Sequence, residues 1–171
     1  MTLSLSRRGF ITLGAVSLLS ACSPSMGPVT TTTTPPRLTT AGIIAAINGV
    51  RAANGRKPLA YNNRLEDAAR RQARLMADRD QLSHNLGKSL RQRVTDVGYD
   101  GAVGENVAAG QRSLEAAIES WLNSSGHRNT LLSDRFTEFG LAVASVPSGR
   151  KSRYGIYWAF IAGGDSAAWI R

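Results

Sequence analysis

The stretch WLNSSGHR, residues 121–128, ends one amphipathic segment and carries one of the two histidines of the chain. In residues 113–122 the apolar positions recur at the spacing of one helical face, which predicts a helix. The residues on that face are Leu114, Ala117, Ile118 and Trp121. We expect this helix to end at Leu122 and His127 to lie in a loop beyond it.

Three further helices are predicted on the N-terminal side of this stretch. The first starts at Thr39 or Thr40 and ends before Gly55. The second follows a break at Pro58 and has charged residues opposite its apolar face. A third, shorter helix is expected over residues 90–97. The apolar face of the first helix comprises Ile43, Ile44, Ile47 and Val50, and that of the second comprises Leu65, Ala68, Ala69, Ala73 and Met76.

The last two apolar stretches, residues 139–146 and 154–162, have the composition of strands. The turn PSGR, residues 147–150, lies between them and predicts a hairpin. Two strands are too few to be stable alone, so we expect a third strand, over residues 106–109. The chain is therefore predicted to have an α+β fold in which helices cover a sheet.

The composition indicates one globular domain. The chain has 171 residues, of which 42% are hydrophobic and 19% are charged. The chain is therefore too short to form two domains that each have a sizeable hydrophobic core, and its composition does not indicate disorder. The formal net charge is +9, but the arginines are spread along helical segments without interleaved aromatics, so nucleic-acid binding is not expected. The basic residues form either a solvated face or a surface attracted to anionic lipid or cell-wall polymer.

The first 21 residues have the features of an export signal. Arg7 and Arg8 resemble the pair of a twin-arginine signal, and the apolar run after them is too short to span a membrane. The run closes at LSAC, which resembles the lipobox of bacterial lipoproteins, so Cys22 is predicted to be acylated. The alternatives are an ordinary secretory signal with an incidental cysteine, or an uncleaved anchor.

The predicted organisation has three parts: a signal peptide over residues 1–21, a Thr/Pro-rich tether over residues 22–36, and a domain over residues 37–171. Ser23 stands where an aspartate would resemble an inner-membrane retention signal. We therefore expect the domain at the outer membrane, facing the periplasm, or at the cell surface, anchored through lipid. The single cysteine, Cys22, excludes an intramolecular disulfide.

Four polar residues are candidates for a functional site. His84 and His127 are the only histidines, and Glu105 and Glu138 lie in two unusual segments, GEN and FTEFG. Two imidazoles and two carboxylates suit a divalent-metal site or a general acid–base pair if the fold brings them together. On spacing alone, each histidine is more often a hydrogen-bonded surface or cap residue.

Several short motifs follow one another along the chain: NxxRxxxG from Asn48, PL at 58–59, SHN at 83–85, Arg93 with GY at 98–99, GENVA at 104–108, WLNSSGHR at 121–128 and FTEFG at 136–140. No single motif is specific, but the ordered set is. Their order and spacing resemble the bacterial branch of the CAP superfamily, which includes cysteine-rich secretory proteins, antigen 5 and plant pathogenesis-related proteins. The resemblance extends from about Thr39 to Gly163.

This resemblance implies a three-layer α-β-α sandwich with a central antiparallel sheet and a cleft that holds two histidines and two glutamates. His84, His127 and Glu105 fall on matching positions, and in the family such histidines can bind a divalent cation, often zinc. Eukaryotic members place the second glutamate three residues after the helix tryptophan, where this chain has Ser124. Glu138 is therefore either the fourth cleft residue or a buried carboxylate that organises its loop.

The resemblance favours a binding module, because no single enzymatic reaction is shared across the family. Its ligand would be a lipid, a peptidoglycan fragment or a protein. The alternatives are a metal-dependent hydrolase with Glu105 as general base, and a structural protein of the envelope. Catalytic zinc usually has three protein ligands, and adjacent residues such as Ser83 and His84 rarely form a productive nucleophile pair, so an enzyme is not expected.

Overall fold

The computed structural model describes residues 37–169. The predicted signal peptide, Cys22 and the tether lie outside the described residues. No helix of the described part is long and apolar enough to cross a membrane. The elements, in chain order, are α1 Thr40–Ala53, β1 Ala60–Tyr61, α2 Asn63–Arg79, α3 Leu90–Thr95, β2 Ala102–Ala109, α4 Leu114–Leu122, α5 Ser125–Leu132, β3 Glu138–Ser145, β4 Ile156–Gly164 and a final 3₁₀ turn, Ser166–Trp169.

The sheet has the strand order β1-β3-β4-β2. Strands β3 and β4 form the predicted hairpin, and β2 pairs with the other side of β4, also antiparallel. The predicted third strand is confirmed and is longer than expected, since β2 begins at Ala102. The two-residue strand β1 was not predicted, and it runs parallel to the start of β3. Strand β2 therefore forms one edge of the sheet.

Both faces of the sheet are covered by helices. In β4, Trp158 and Phe160 pack with α1, α4 and α5, whereas Tyr157 and Ile161 pack with α2 and α3. Every residue of β4 is buried, as expected for a strand whose alternate side chains enter two cores. The observed architecture confirms the three-layer α-β-α sandwich.

Most of the helices begin after an N-cap residue whose side chain accepts a hydrogen bond from the first turn. Thr39 accepts a hydrogen bond from the amide of Gly42, and Asn62 caps α2 in the same way. Ser89 and Gln92 form a capping box at α3, an arrangement that satisfies two free N–H groups at once. The four predicted helices are thus present, although α3 ends at Thr95, two residues earlier than expected.

Helix α2 lies directly on the sheet, and a glycine permits the close approach. A Cβ built on Gly140 of β3 would lie 2.0 Å from the backbone nitrogen of Glu66 in α2. Because backbone atoms cannot yield as a flexible side chain can, only glycine fits this position.

The expectation that His127 lies in a loop is wrong. Helix α5 begins at Ser125, so His127 is in its first turn. Only Leu131 and Leu132 of this helix are buried, and Ser124 makes no side-chain cap hydrogen bond. The segment therefore lacks both the apolar stripe and the capping contact by which a helix is recognised in sequence.

Candidate functional site

A buried ion pair lies at the outer edge of the sheet. Glu105, in the middle of β2, has a side chain that is only 2% exposed, and Arg93 at the end of α3 is paired with it and is 4% exposed. The other guanidinium nitrogen of Arg93 donates to the carbonyls of His84, at 2.8 Å, and Lys88, at 2.9 Å. Arg93 thus attaches the loop between α2 and α3 to strand β2.

His84 is held by the second oxygen of the same carboxylate. Its Nδ1 lies 2.8 Å from Oε2 of Glu105, and half of its side chain is exposed. A carboxylate paired with Arg93 can only accept, so the neutral ring donates from Nδ1 and keeps its Nε2 lone pair directed away from Glu105. The hydrogen bond to Glu105 raises the pKa of His84 above its usual value, while burial opposes the shift.

Ser83, beside His84, does not form a nucleophile pair with it. The hydroxyl of Ser83 is 3.1 Å from the carbonyl of Asn85, to which it donates. The backbone oxygen of Ser83 accepts from the side-chain amide of Gln72 at 2.6 Å. These contacts give Ser83 a role in shaping the loop that presents His84.

His127 lies near His84 but belongs to α5, in the helical layer on the other face of the sheet. Its backbone carbonyl accepts a hydrogen bond of 2.8 Å from the side chain of Asn106, the residue after Glu105. Consecutive strand residues point to opposite faces, so Glu105 fixes His84 on one face and Asn106 anchors His127 on the other. The two imidazole rings meet around the edge of β2, with 6.2 Å between their centres.

The two rings differ in their affinity for protons. Burial lowers the pKa of His127, and the neighbouring His84 lowers it further. His127 therefore favours the neutral form, which is the form that binds metal ions. His84 carries the opposite shift, because its partner is a carboxylate.

The pair fits the chemistry of a metal site with two protein ligands. Two imidazoles that share a zinc ion at about 2.0–2.1 Å would have ring centres roughly 5–6 Å apart, close to the observed 6.2 Å. Glu105 holds the Nδ1–H of His84, as outer carboxylates do for metal-binding histidines. Within residues 37–169, no group of three or more His, Cys, Asp or Glu side chains is placed to hold a metal. Water or a bound ligand would complete the coordination.

Glu138 lies elsewhere on the sheet. Its carboxylate accepts from the side-chain amide of Asn62 at 2.6 Å and from the hydroxyl of Tyr99. Burial and this carboxylate raise the pKa of Tyr99 to about 12. Because β4 lies between β3 and β2, two strand spacings, about 10 Å, separate Glu138 from the strand of Glu105. The structure thus brings together His84, His127 and Glu105, three of the four predicted residues. Glu138 instead connects the start of α2 to the segment before β2.

The sequence alone indicated no role for Arg93 or Asn106. The strand was predicted only from Asn106 onward, so Glu105 lay outside it, and the placement of the two residues on opposite faces follows from the longer strand, Ala102–Ala109, by alternation. Arg93 belongs to the ordered set of motifs, but its pairing with Glu105 could not be inferred, because only the tertiary fold brings α3 against β2.

Comparison with known proteins identifies the family. Residues 44–161 match the model of the cysteine-rich secretory protein family, CAP. This match covers more than half of the chain, which therefore belongs to the CAP family.

Two curated relatives come from Bacillus subtilis. The uncharacterized protein YkwD is 32% identical over 111 residues, which cover 63% of this chain and 42% of YkwD. The uncharacterized membrane protein YlbC is 32% identical over 104 residues, which cover 59% of this chain and 30% of YlbC. The chain thus spans less than half the length of these relatives.

Solved structures show the same fold. An extracellular SCP-domain protein from Bacillus anthracis has a TM-score of 0.60 at 26% identity, covering 75% of this chain and 45% of that one. An outer surface protein of Borrelia burgdorferi has a TM-score of 0.61 at 20% identity, covering 72% of this chain and 90% of that one. At 20% identity the likeness concerns the fold alone.

Proposed function

We propose that this chain is an exported, lipid-anchored CAP domain that acts as a binding module of the cell envelope, with a divalent metal such as zinc held between His84 and His127. One observation carries the proposal: the imidazoles of His84 and His127, from different layers, meet at the edge of the sheet. Strand β2 holds the ring of the first through Glu105 and the backbone carbonyl of the second through Asn106. A bound metal would supply a Lewis acid there, to which an oxygen atom of an envelope ligand could bind.

Binding is favoured over hydrolysis by the state of Glu105. Both oxygens of its carboxylate are engaged, one by Arg93 and one by His84, and its side chain is almost fully buried. A general base must reach the proton that it removes, and this carboxylate is directed into the domain. Two histidines also fall short of the three protein ligands usual in catalytic zinc sites.

The envelope location is supported by the leader and by the relatives. Residues 1–22 end in a lipobox-like tetrad, and the similar structure from Bacillus anthracis, at 26% identity, is that of an extracellular protein. A lipid on Cys22 followed by a tether would hold the cleft near a membrane surface. Its ligand would then be a lipid, a peptidoglycan fragment or a protein of that surface.

Calorimetric titration with zinc tests the metal part of the proposal. All proteins should carry Cys22→Ser, so that the thiol cannot bind the metal. We expect a modest affinity that is lost in the double variant His84→Ala, His127→Ala and retained in the control Glu119→Gln, which changes an exposed residue of α4. Equal zinc binding by the double variant would disprove the site. Sedimentation with purified peptidoglycan then tests whether the same cleft residues bind an envelope polymer.

A further inference from the structure

A second, strongly polar pocket lies on the other side of α5. It has a volume of about 500 Å³ and lies between the C-terminal end of α1, the outer face of α5 and the loop after α5. Arg56 and Arg128 line it together with Asp134. Arg128 and Leu132, one turn apart on α5, share the face that lines this pocket. His127 is not among the lining residues.

Guanidinium groups outnumber carboxylates around this pocket. Asp134 accepts from Arg56 at 2.9 Å and lies 3.5 Å from Nη2 of Arg51. The side chain of Arg51 is fully buried, and within the described part of the chain its Nη2 has no hydrogen-bond partner. Arg128 contacts Asn54 and the carbonyl of Leu122 only at 3.4 and 3.5 Å, distances at which hydrogen bonds are weak.

Asp134 shows that an oxyanion is stable at this position. Its carboxylate spans Arg51 and Arg56, and the hydrogen bond from Arg56 lowers the pKa of Asp134 below its usual value. The residues that line the pocket include two arginines, Arg56 and Arg128, and one carboxylate, Asp134, so the lining retains an excess of positive charge. Arginine presents a planar fork of donors that matches tetrahedral and carboxylate oxyanions.

We propose that this pocket binds a phosphate group, with Arg128 and Arg56 as its ligands and Asp134 as an internal competitor for Arg56. The volume exceeds that of a bare phosphate, so the group can belong to a larger molecule, either a phospholipid headgroup or a soluble or polymeric phosphate. The site does not include the histidine pair, so its failure would leave the proposed function standing.

Titration with inorganic phosphate tests the site in the full chain carrying Cys22→Ser. Arg128→Gln should weaken phosphate binding about fivefold, the loss expected for one partly exposed charged contact. Asp134→Asn should tighten it by a similar factor, because the amide keeps the shape and removes the competing charge. Arg112→Gln, an exposed arginine that does not line the pocket, is the matched control and should bind as the parent does.

Vesicle sedimentation distinguishes the two sources of phosphate. Vesicles of phosphatidylcholine alone are compared with vesicles that contain equal parts of phosphatidylcholine and phosphatidylglycerol. An Arg128-dependent preference for the second supports a lipid headgroup, and Arg128-dependent phosphate binding without that preference supports a soluble or polymeric phosphate. Equal losses in Arg128→Gln and Arg112→Gln would overturn the proposal in favour of general charge attraction. Weaker phosphate binding by a folded Asp134→Asn variant would overturn it as well.

Discussion

Replacing Glu105 with glutamine should destabilise the domain and disable the cleft together. The change leaves Arg93 buried without its carboxylate, and breaking a buried ion pair costs roughly 3–5 kcal/mol. Arg93 keeps its hydrogen bonds to two backbone carbonyls, and the glutamine oxygen can still accept one bond. We therefore expect the lower end, about 3 kcal/mol, and a fall in melting temperature of about 10 °C.

The pH dependence of this effect has a definite sign. Glu105 raises the pKa of His84 through its hydrogen bond, so the charged imidazole stabilises the fold below the unfolded value of about 6.5. This stabilisation disappears as the pH rises through the folded pKa. The penalty of Glu105→Gln should therefore be larger at acidic than at alkaline pH.

Urea denaturation at several pH values measures both effects. Glu119→Gln is the control, since it changes an exposed glutamate and should alter the free energy of unfolding by less than about 0.5 kcal/mol. An NMR titration should also show the pKa of His84 falling in Glu105→Gln. A variant that unfolds at the same urea concentration as the parent would refute the role assigned to this carboxylate.

Three further predictions concern the cleft, the packing and the anchor. Zinc affinity should begin to decline as the pH falls through the raised pKa of His84, above about 6.5, because protons compete for the imidazole; calorimetry that finds a constant affinity down to pH 5 would contradict this. Gly140→Ala should lower the free energy of unfolding by roughly 2–3 kcal/mol, because the added methyl group overpacks α2 on the sheet. The control Gly49→Ala, where a Cβ meets nothing within 4 Å, should be neutral or stabilising by up to about 1 kcal/mol. Thermal unfolding of the two variants measures the difference. Cys22→Ala should release the protein from the membrane fraction and abolish lipid labelling, and unchanged fractionation would exclude the lipid anchor.

Much of the architecture could be predicted because its elements bury regular faces. The stripes of α1, α2 and α4 repeat at helical spacing, and the PSGR turn between two β-rich stretches identifies the hairpin. These signals are local in the sequence, and the N-cap residues of the helices add to them. Strand β1 and helix α5 escaped prediction because neither has such a face: β1 has two residues, and α5 buries only two leucines.

The site was predictable only in part, for a geometrical reason. The resemblance named His84, His127 and Glu105, and the structure brings these three together. Glu138 was placed in the cleft as one of two alternatives, but the order of the strands puts β4 between it and Glu105. Strand order depends on long-range pairing, which a single sequence does not display. For the same reason, the ion pair of Arg93 with Glu105 became visible only in the fold.

A crystal of the domain soaked in zinc tests the central claim most directly. Anomalous diffraction at the zinc edge should show one metal ion about 2.0–2.1 Å from Nε2 of His84 and from a ring nitrogen of His127, with the hydrogen bond from Nδ1 of His84 to Glu105 intact. Metal bound at other residues, with the two imidazoles left free, would contradict the account.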